Sequence, residues 1–377
     1  MWENSSYEAG DMKRIGIAPS GKAMLIVSCL ALALAACQHG DIVIDAGDSV
    51  IASGGRASII VAGRNVAKLR SEPRNILVLT SGGADGAFGA GVLSGWSASG
   101  TRPQFDIVTG TSTGALQATA AFLGSEFDSL LEKLYTTTRT RDILRSNGLK
   151  TLFRTGRYDP MPLRRQLAEH ITESMLDAVA AEHNEGRRLY VATTDMTAGK
   201  TVIWDMGAIA AGGGNRKNRY IDILVASAAA PGLIESVYVR NLQSGALSVH
   251  SDGGVKAPVP LESFMLEESR PGLTHVWVIA NGHVSRSAAV RSDASSTIPL
   301  AQRGVTQLLR QLLYISVRDA EARTRQAGAR FHLIPLPDTI PEAASPFEFK
   351  PEEMRGLFEA GREIGLRRFG TALATWR

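Results

Sequence analysis

Cysteine is almost missing from this chain of 377 residues, which has two, Cys29 and Cys37. Both stand near its start, so the body of the protein holds no disulfide framework and no cysteine-ligated metal. Neither sign of charge dominates. Lysine and arginine number 41 against 37 aspartates and glutamates, a net +4 that is too diffuse to mark a nucleic-acid binder. The densest basic cluster, Arg216, Lys217 and Arg219, fits a solvated loop at least as well as a phosphate site. There is no internal repeat, no low-complexity block and no change of composition within the body that would mark a second domain. What is present is an ordinary apolar fraction, 44%, enough for one large core.

Lys13, Arg14 and Lys22 precede an uncharged stretch, 23–36, that has the length of a secretion-signal core and is short for a membrane span. It closes on Leu34-Ala35-Ala36-Cys37, which looks like a bacterial lipobox. That likeness implies cleavage before Cys37 and acyl chains on its sulfur and new amino end; several chains anchor stably where one is marginal. An ordinary signal peptide with an incidental cysteine is the plainer reading. Gln38 resembles the outer-membrane sorting pattern, which implies a lipid-anchored protein of the bacterial envelope. Met12 serves as well as Met1 for a start. Residues 1–36 are therefore expected to be a signal. Residues 37–74, with β-like pieces at 42–44 and 58–61, are expected to be a tether with peripheral strands. Residues 75–377 form the body.

Strand-like runs at 75–80, 105–109, 188–194, 201–205, 236–239, 247–250, 275–280 and 330–335 alternate with helical patterns. The helices are expected at 86–98, 115–123, 127–137, 162–181, 221–227, about 298–325 and 351–374. Such alternation predicts an α/β fold, a parallel or mixed sheet with helices on both faces. The last two helices are expected to cover the sheet. The apolar and basic stretch 149–154 fits a lid or membrane-facing loop and core packing equally.

The run 105–109 ends in Gly110-Thr111-Ser112-Thr113-Gly114 and leads at once into helix-compatible residues. Strand, sharp turn and helix in that order make a nucleophile elbow with Ser112 at its tip. The helix start favours negative charge developing beside the serine. A plain polar turn would carry the same five residues. The first body strand runs into a second glycine-rich turn, Ser81-Gly82-Gly83-Ala84-Asp85-Gly86, which can aim backbone N–H groups at an anion. Phosphate is the poorer guest. No lysine follows the last glycine, and Ser94 stands where a dinucleotide fingerprint needs its third glycine. An oxyanion fits better, with donors at Gly82, Gly83 and the residue after the serine, Thr113.

A serine hydroxyl needs a base within reach. Asp252 would project from a strand end ahead of Gly253 and Gly254, although a turn aspartate reads the same way. His250 shares its face if the strand stays regular. His275 and His332 look like strand positions, where core or exposed imidazoles are the rule. Asp195 and Asp106 are the competing carboxylates, and Asp106 stands at the wrong end of its strand to reach Ser112.

Together these pieces resemble the patatin-like phospholipase family. The match runs through the glycine loop 81–86, the elbow 110–114, Ala226-Ser227-Ala228-Ala229-Ala230-Pro231-Gly232-Leu233, and Asp252-Gly253-Gly254 with Pro260 downstream, in the family's order across most of the body. The resemblance implies a three-layer α/β/α sandwich on a mixed, mostly parallel sheet, and a Ser-Asp dyad working without histidine, metal or cofactor. It maps Ser112 to the nucleophile, Asp252 to the base, and Gly82 and Gly83 to the oxyanion hole. Gly86, Gly110, Gly114, Gly253 and Gly254 fall on motif positions. The implied activity is hydrolysis of carboxylic esters of lipids, phospholipids or shorter acyl esters, at a membrane reached through Cys37. An acyltransferase or thioesterase would use the same dyad, and a non-catalytic envelope lipoprotein would keep the same body. There are two departures. Asp85 stands where the family often has Arg or Lys, and Pro258 where it often has Asn. The first bears on headgroup preference, although a carboxylate at a helix start is also a favourable structural placement.

Overall fold

The computed structural model describes residues 42–46, 50–52, 73–241, 245–285 and 297–370. The signal expected over 1–36, the lipid attachment expected at Cys37 and the strand expected at 58–61 all lie outside the described residues. In chain order the strands are β1 (Val43–Ala46), β2 (Val50–Ala52), β3 (Arg74–Leu79), β4 (Ile107–Thr111), β5 (Arg145–Ser146), β6 (Gly156–Asp159), β7 (Arg188–Asp195), β8 (Lys200–Asp205), β9 (Gly232–Ile234), β10 (Val237–Asn241), β11 (Leu247–Asp252), β12 (Thr274–Ala280) and β13 (Arg330–Pro335). The α-helices are α1 (Gly86–Ala98), α2 (Thr113–Leu123), α3 (Asp128–Thr137), α4 (Thr140–Ile143), α5 (Met161–His170), α6 (Glu173–Asn184), α7 (Met206–Ala211), α8 (Arg216–Ser227), α9 (Thr297–Gln326) and α10 (Pro351–Gly370).

Five strands form a parallel centre in the order β7-β4-β3-β12-β13. β11 and β8 both join β7 antiparallel, β10 joins β11, and β1 pairs parallel with β10. The sheet is therefore mixed, with its parallel part buried. Its strands are near-continuous apolar runs because both faces are covered. In β3, Leu77 and Leu79 join one core while Ile76 and Val78 join the other. Helices α1, α2, α3, α6, α7, α8 and α10 contribute to the first core. The stretch around Val259–Leu266 and the α9 residues Leu313, Val317 and Ala320 cover the opposite face. Three layers result. β5, β6 and β9 make a separate small sheet that the sequence pattern did not predict.

α1 is buried along most of its length, and α10 lies directly on it. A Cβ at Gly91 or Gly95 would overlap the carbonyls of Phe358 or Arg362, and one at Gly361 or Gly365 those of Phe88 or Val92. Two glycine pairs thus let the backbones touch, and Trp96 stacks on Phe369 at 3.9 Å.

Three expectations need correction. The single helix expected at 162–181 is two, α5 and α6. Ile171 and Thr172 take extended backbone angles, Ile171 is buried, and the Thr172 hydroxyl accepts the Met175 N–H at 3.1 Å as an N-cap. The basic cluster opens α8 rather than lying in a loop, and Arg216 is ion-paired with Glu173 and Asp177. Finally, among the described side chains of α9, those buried against the sheet begin at Leu313.

Candidate active site

β4 and β11 meet head to head along one edge of β7. Thr111, the last residue of β4, pairs with Ala192, and Asp252, the last of β11, pairs with the next residue, Thr193. β8 fills the other edge of β7. Two strands that run toward each other thus deliver Ser112 and Asp252 to one point, and the Ser112 hydroxyl donates to Asp252 Oδ2 at 2.6 Å. The strand expected at 247–250 runs on to Asp252, which makes this meeting possible.

Ser112 has φ 54 and ψ −126, the one positive φ among the described non-glycine residues. Such a conformation costs on the order of 1–3 kcal/mol and persists only where its surroundings over-determine it. Here they do. The Ser112 N–H donates to Ser227 Oγ at 3.0 Å, and that hydroxyl donates to the Ala192 carbonyl at 2.7 Å. A Cβ at Gly110 would overlap the Gly114 carbonyl, and one at Gly114 the carbonyls of Leu79 and Thr80, so both elbow glycines are required by close approach. The far end of α2 is held too: Arg102 and Arg187 donate to the carbonyls of Ala121 and Phe122 at 3.0 and 2.5 Å.

Asp252 is fixed through four atoms. Besides the serine, its Oδ1 accepts the Gly254 N–H at 2.7 Å, its own N–H donates to Ala229 at 2.8 Å, and its carbonyl accepts the Thr194 hydroxyl at 2.9 Å. Burial pushes its carboxyl up to about 6, against the hydrogen bonds from Ser112 and Gly254. Gly253 is needed where it stands, since a Cβ would overlap the Ala192 carbonyl.

Gly83 and Thr113 line the same cavity as Ser112 and Asp252. Thr113 is the first residue of α2, where N–H groups have no partner within the helix. Gly82 lies just behind, against Asn281, and Gly86 against Thr113. Asp85 does not cap α1, contrary to its favourable position at the helix start. Its Oδ1 accepts the Ala343 N–H at 2.7 Å, while the Pro346 carbonyl accepts the Ala84 N–H at 2.9 Å. Residues 336–350, between β13 and α10, are thereby strapped across the glycine turn. Burial raises the Asp85 carboxyl to about 8. Pro258, the other departure, accepts the Ser81 N–H through its carbonyl at 3.2 Å.

The cavity above the serine is apolar. Leu116, Leu131, Leu134, Leu163, Ile234 and the strap residues Phe347 and Phe349 are among its walls. It fits an acyl chain by chemistry. Leu149 is 89% exposed, which rules out core packing for that residue of the stretch 149–154.

No histidine is among the hydrogen-bond partners of Ser112. His250 bonds Thr193 Oγ1 and Ser248 Oγ at 3.0 and 3.1 Å, and burial pushes its imidazole down to about 4, so it is neutral at pH 7. His275 and His332 pair with each other at 3.0 Å in β12 and β13. Asp195 accepts the N–H groups of Thr197 and Ala198 in a turn, and Asp106 accepts the Asn75 N–H at the start of β4. Among the described residues, no cluster of His, Cys, Asp and Glu could hold a metal ion.

Sequence reasoning passed over three supporting residues. Ser227 lay in the alanine-rich segment already singled out. Asn281 accepts the Gly89 N–H at 3.1 Å and donates to the Thr80 carbonyl at 2.9 Å, so it caps α1 from the end of β12. Tyr135 donates to the Thr113 carbonyl at 3.0 Å. Neither Asn281 nor Tyr135 has a local signal, since the partners are brought together only by the fold.

The family model of the patatin-like phospholipase matches residues 77–265, half of the chain. The protein belongs to the patatin-like phospholipase family. It is accordingly a hydrolase of lipid acyl esters. Among solved structures, this patatin-like chain resembles the crystal structure of VipD from Legionella pneumophila, with 13% identity over 80% of this chain and 67% of that one and a TM-score of 0.41. No curated protein matches it. α9 and the strap both lie beyond the matched span.

Proposed function

We propose that the protein is a serine lipid acyl hydrolase of phospholipase A or esterase type, working through a Ser112–Asp252 dyad. The 2.6 Å bond from the serine hydroxyl to a buried carboxylate on the floor of an apolar cavity is the observation that carries this reading. Asp252 takes the hydroxyl proton as Ser112 Oγ attacks the ester carbonyl carbon. The N–H groups of Gly82, Gly83 and Thr113 hold the oxyanion, and each such donor is worth about 100- to 1,000-fold in turnover. Collapse expels the alcohol, which takes the proton from Asp252. Asp252 then deprotonates a water that attacks the acyl-serine; collapse expels Ser112 Oγ, which takes that proton back from Asp252, and the fatty acid leaves. No step requires a metal.

Cys37 carries the lipid anchor in this reading, and the protein works at the bacterial envelope, in the outer membrane. Labelled palmitate incorporated by the wild type and refused by Cys37→Ser would support that placement; equal labelling of both would remove it. For the chemistry, a fluorophosphonate should label Ser112, and p-nitrophenyl esters of graded chain length should be cleaved. Failure of both labelling and cleavage would retire the dyad.

A further inference from the structure

α9 has 30 residues and is about 45 Å long, whereas the seven-residue strand β12 that it follows spans only about 23 Å. The surplus lies at one end. Leu313 sits against Gly282 just past the end of β12, and Val317 and Ala320 enter the core, whereas none of residues 304–312 is buried. The first half of α9 therefore overhangs the edge of the sheet at which the parallel strands end. That is the edge where the elbow and the glycine turn stand.

The overhang is not polar. Val305, Leu308, Leu309 and Ile315 are 55%, 71%, 42% and 52% exposed. With the half-buried Leu312 they follow i, i+3, i+4, i+7 and i+10, a single stripe of about 120°. The buried residues Leu313, Val317 and Ala320 are centred roughly 100° away around the helix. Val305 and Leu309 continue the i, i+4 row of Leu313 and Val317 past the edge of the sheet, and Leu308, Leu312 and Ile315 widen it on the side that the sheet does not reach. Scattered single hydrophobics need no explanation, but a continuous stripe does.

Charge indicates what it meets. From 286 to 318 the sequence has five arginines, one aspartate, and neither lysine nor glutamate; from 319 to 326 two acids balance two arginines. Arg310 pairs with Glu342 on the strap and Arg318 with Glu321, which leaves the sequence around the overhang still cationic. An amphipathic helix with its apolar face in the open, led into by a sequence in which Arg286, Arg291 and Arg303 outnumber Asp293, is suited to the headgroup boundary of an anionic bilayer. A second copy would set the same arginine-rich segment against itself.

We propose that the first half of α9 is an interfacial docking element that lays the active-site edge of the protein on an anionic lipid surface. The inference rests on the reading of the protein as a lipid-ester hydrolase for its purpose, and on the helix alone for its geometry. No described helix is long and apolar enough to cross a membrane, so α9 lies on the surface and does not span it.

The test uses the full chain with Cys29→Ser and Cys37→Ser, so that one introduced cysteine carries an environment-sensitive fluorophore. A label at Leu308→Cys should shift to the blue on phosphatidylethanolamine–phosphatidylglycerol vesicles and less on phosphatidylcholine. A label at the exposed Ser125→Cys, beyond the far end of α2, should not shift. Leu308→Asp with Leu309→Asp should reduce hydrolysis of vesicle lipid about tenfold or more and leave a soluble short-chain ester within about twofold, with unchanged circular dichroism. The proposal is overturned if the label at 308 stays unshifted, or if the double variant matches wild type on vesicles. A shift that needs no vesicles and grows with protein concentration also overturns it, in favour of a second copy. Adding Ser112→Ala separates the two readings: docking predicts an intact shift in that inert variant, and a wild type that shifts but hydrolyses nothing would sink the enzyme reading alone.

Discussion

Two strand-to-helix turns stand side by side at the open edge of the sheet, and they are secured in different ways. The elbow at the end of β4 is held by uncharged neighbours: the Ser227 hydroxyl, the carbonyls it crowds and the rail of β7. The glycine turn at the end of β3 is held by a segment some 260 residues later, through a buried carboxyl group, that of Asp85, whose contact to Ala343 spans 258 positions. The first arrangement uses no ionisable group to hold the elbow backbone, although its pieces also come from far along the chain, Ser227 lying 115 positions from Ser112. The second ties the turn, and the cavity wall with it, to an ionisable group. The backbone placement of the serine should therefore vary little with pH, and the cavity wall around it should be adjustable.

Removing the chemistry is the most severe way to test this contrast. Ser112→Ala should abolish ester cleavage, a fall of about 10⁴-fold or more, and Asp252→Asn should approach the same loss, both without loss of fold. Wild-type rates from Asp252→Asn would transfer the base role elsewhere. Next in size is the pH response. A base whose carboxyl is raised to about 6 must lose its proton to act, so kcat/KM should climb through about pH 6 and stay level above it. A profile controlled near pH 4 would contradict the burial described for Asp252.

The strap is expected to produce a smaller and more selective effect. Asp85→Ala deprives the Ala343 N–H of its acceptor and should lower turnover about tenfold, with long acyl esters hit hardest because Phe347 and Phe349 shift. Asp85→Asn keeps an acceptor and should stay near wild type. It should also change stability with pH. In the folded chain the Asp85 carboxyl is raised from 3.8 to about 8, so the fold holds a proton that the unfolded chain releases. Stability from this group is fully present below pH 3.8 and is lost as pH rises through about 8. Melting temperatures of Asp85→Asn should overtake those of wild type across that window; parallel curves would mean the carboxyl is not buried. Smallest of all, Ser227→Ala removes one neutral bond to the elbow and should cost about 1 kcal/mol of stability and only a few-fold in rate, read by denaturant titration and ester turnover.

Much of the elbow was legible because its determinants are consecutive: an apolar run, glycines two residues either side of Ser112, then helix formers. The alternating pattern likewise predicts the sheet and most of its helices. Asp252 was ambiguous for a physical reason. An aspartate before two glycines caps a turn in any fold, and only the pairing of β11 against β7 distinguishes it. The break at Ile171-Thr172 carried a readable N-cap signal that the helical periodicity masked. Asn281, Tyr135 and the strap were not legible, since each acts on a partner that tertiary structure alone supplies. The halves of α9 share one helical pattern in sequence, and only the position of the sheet edge separates the half that packs from the half that does not.

β7 carries both halves of the dyad on successive rungs, Ala192 for the elbow and Thr193 for Asp252. A sideways drift of that strand moves the serine and the carboxylate together, so their separation is shielded from errors elsewhere in the sheet. Substitutions in the core beneath can alter where the pair points without altering how it is spaced. The spacing acts as a fixed gauge, cut into one strand, against which the rest of the domain is free to vary.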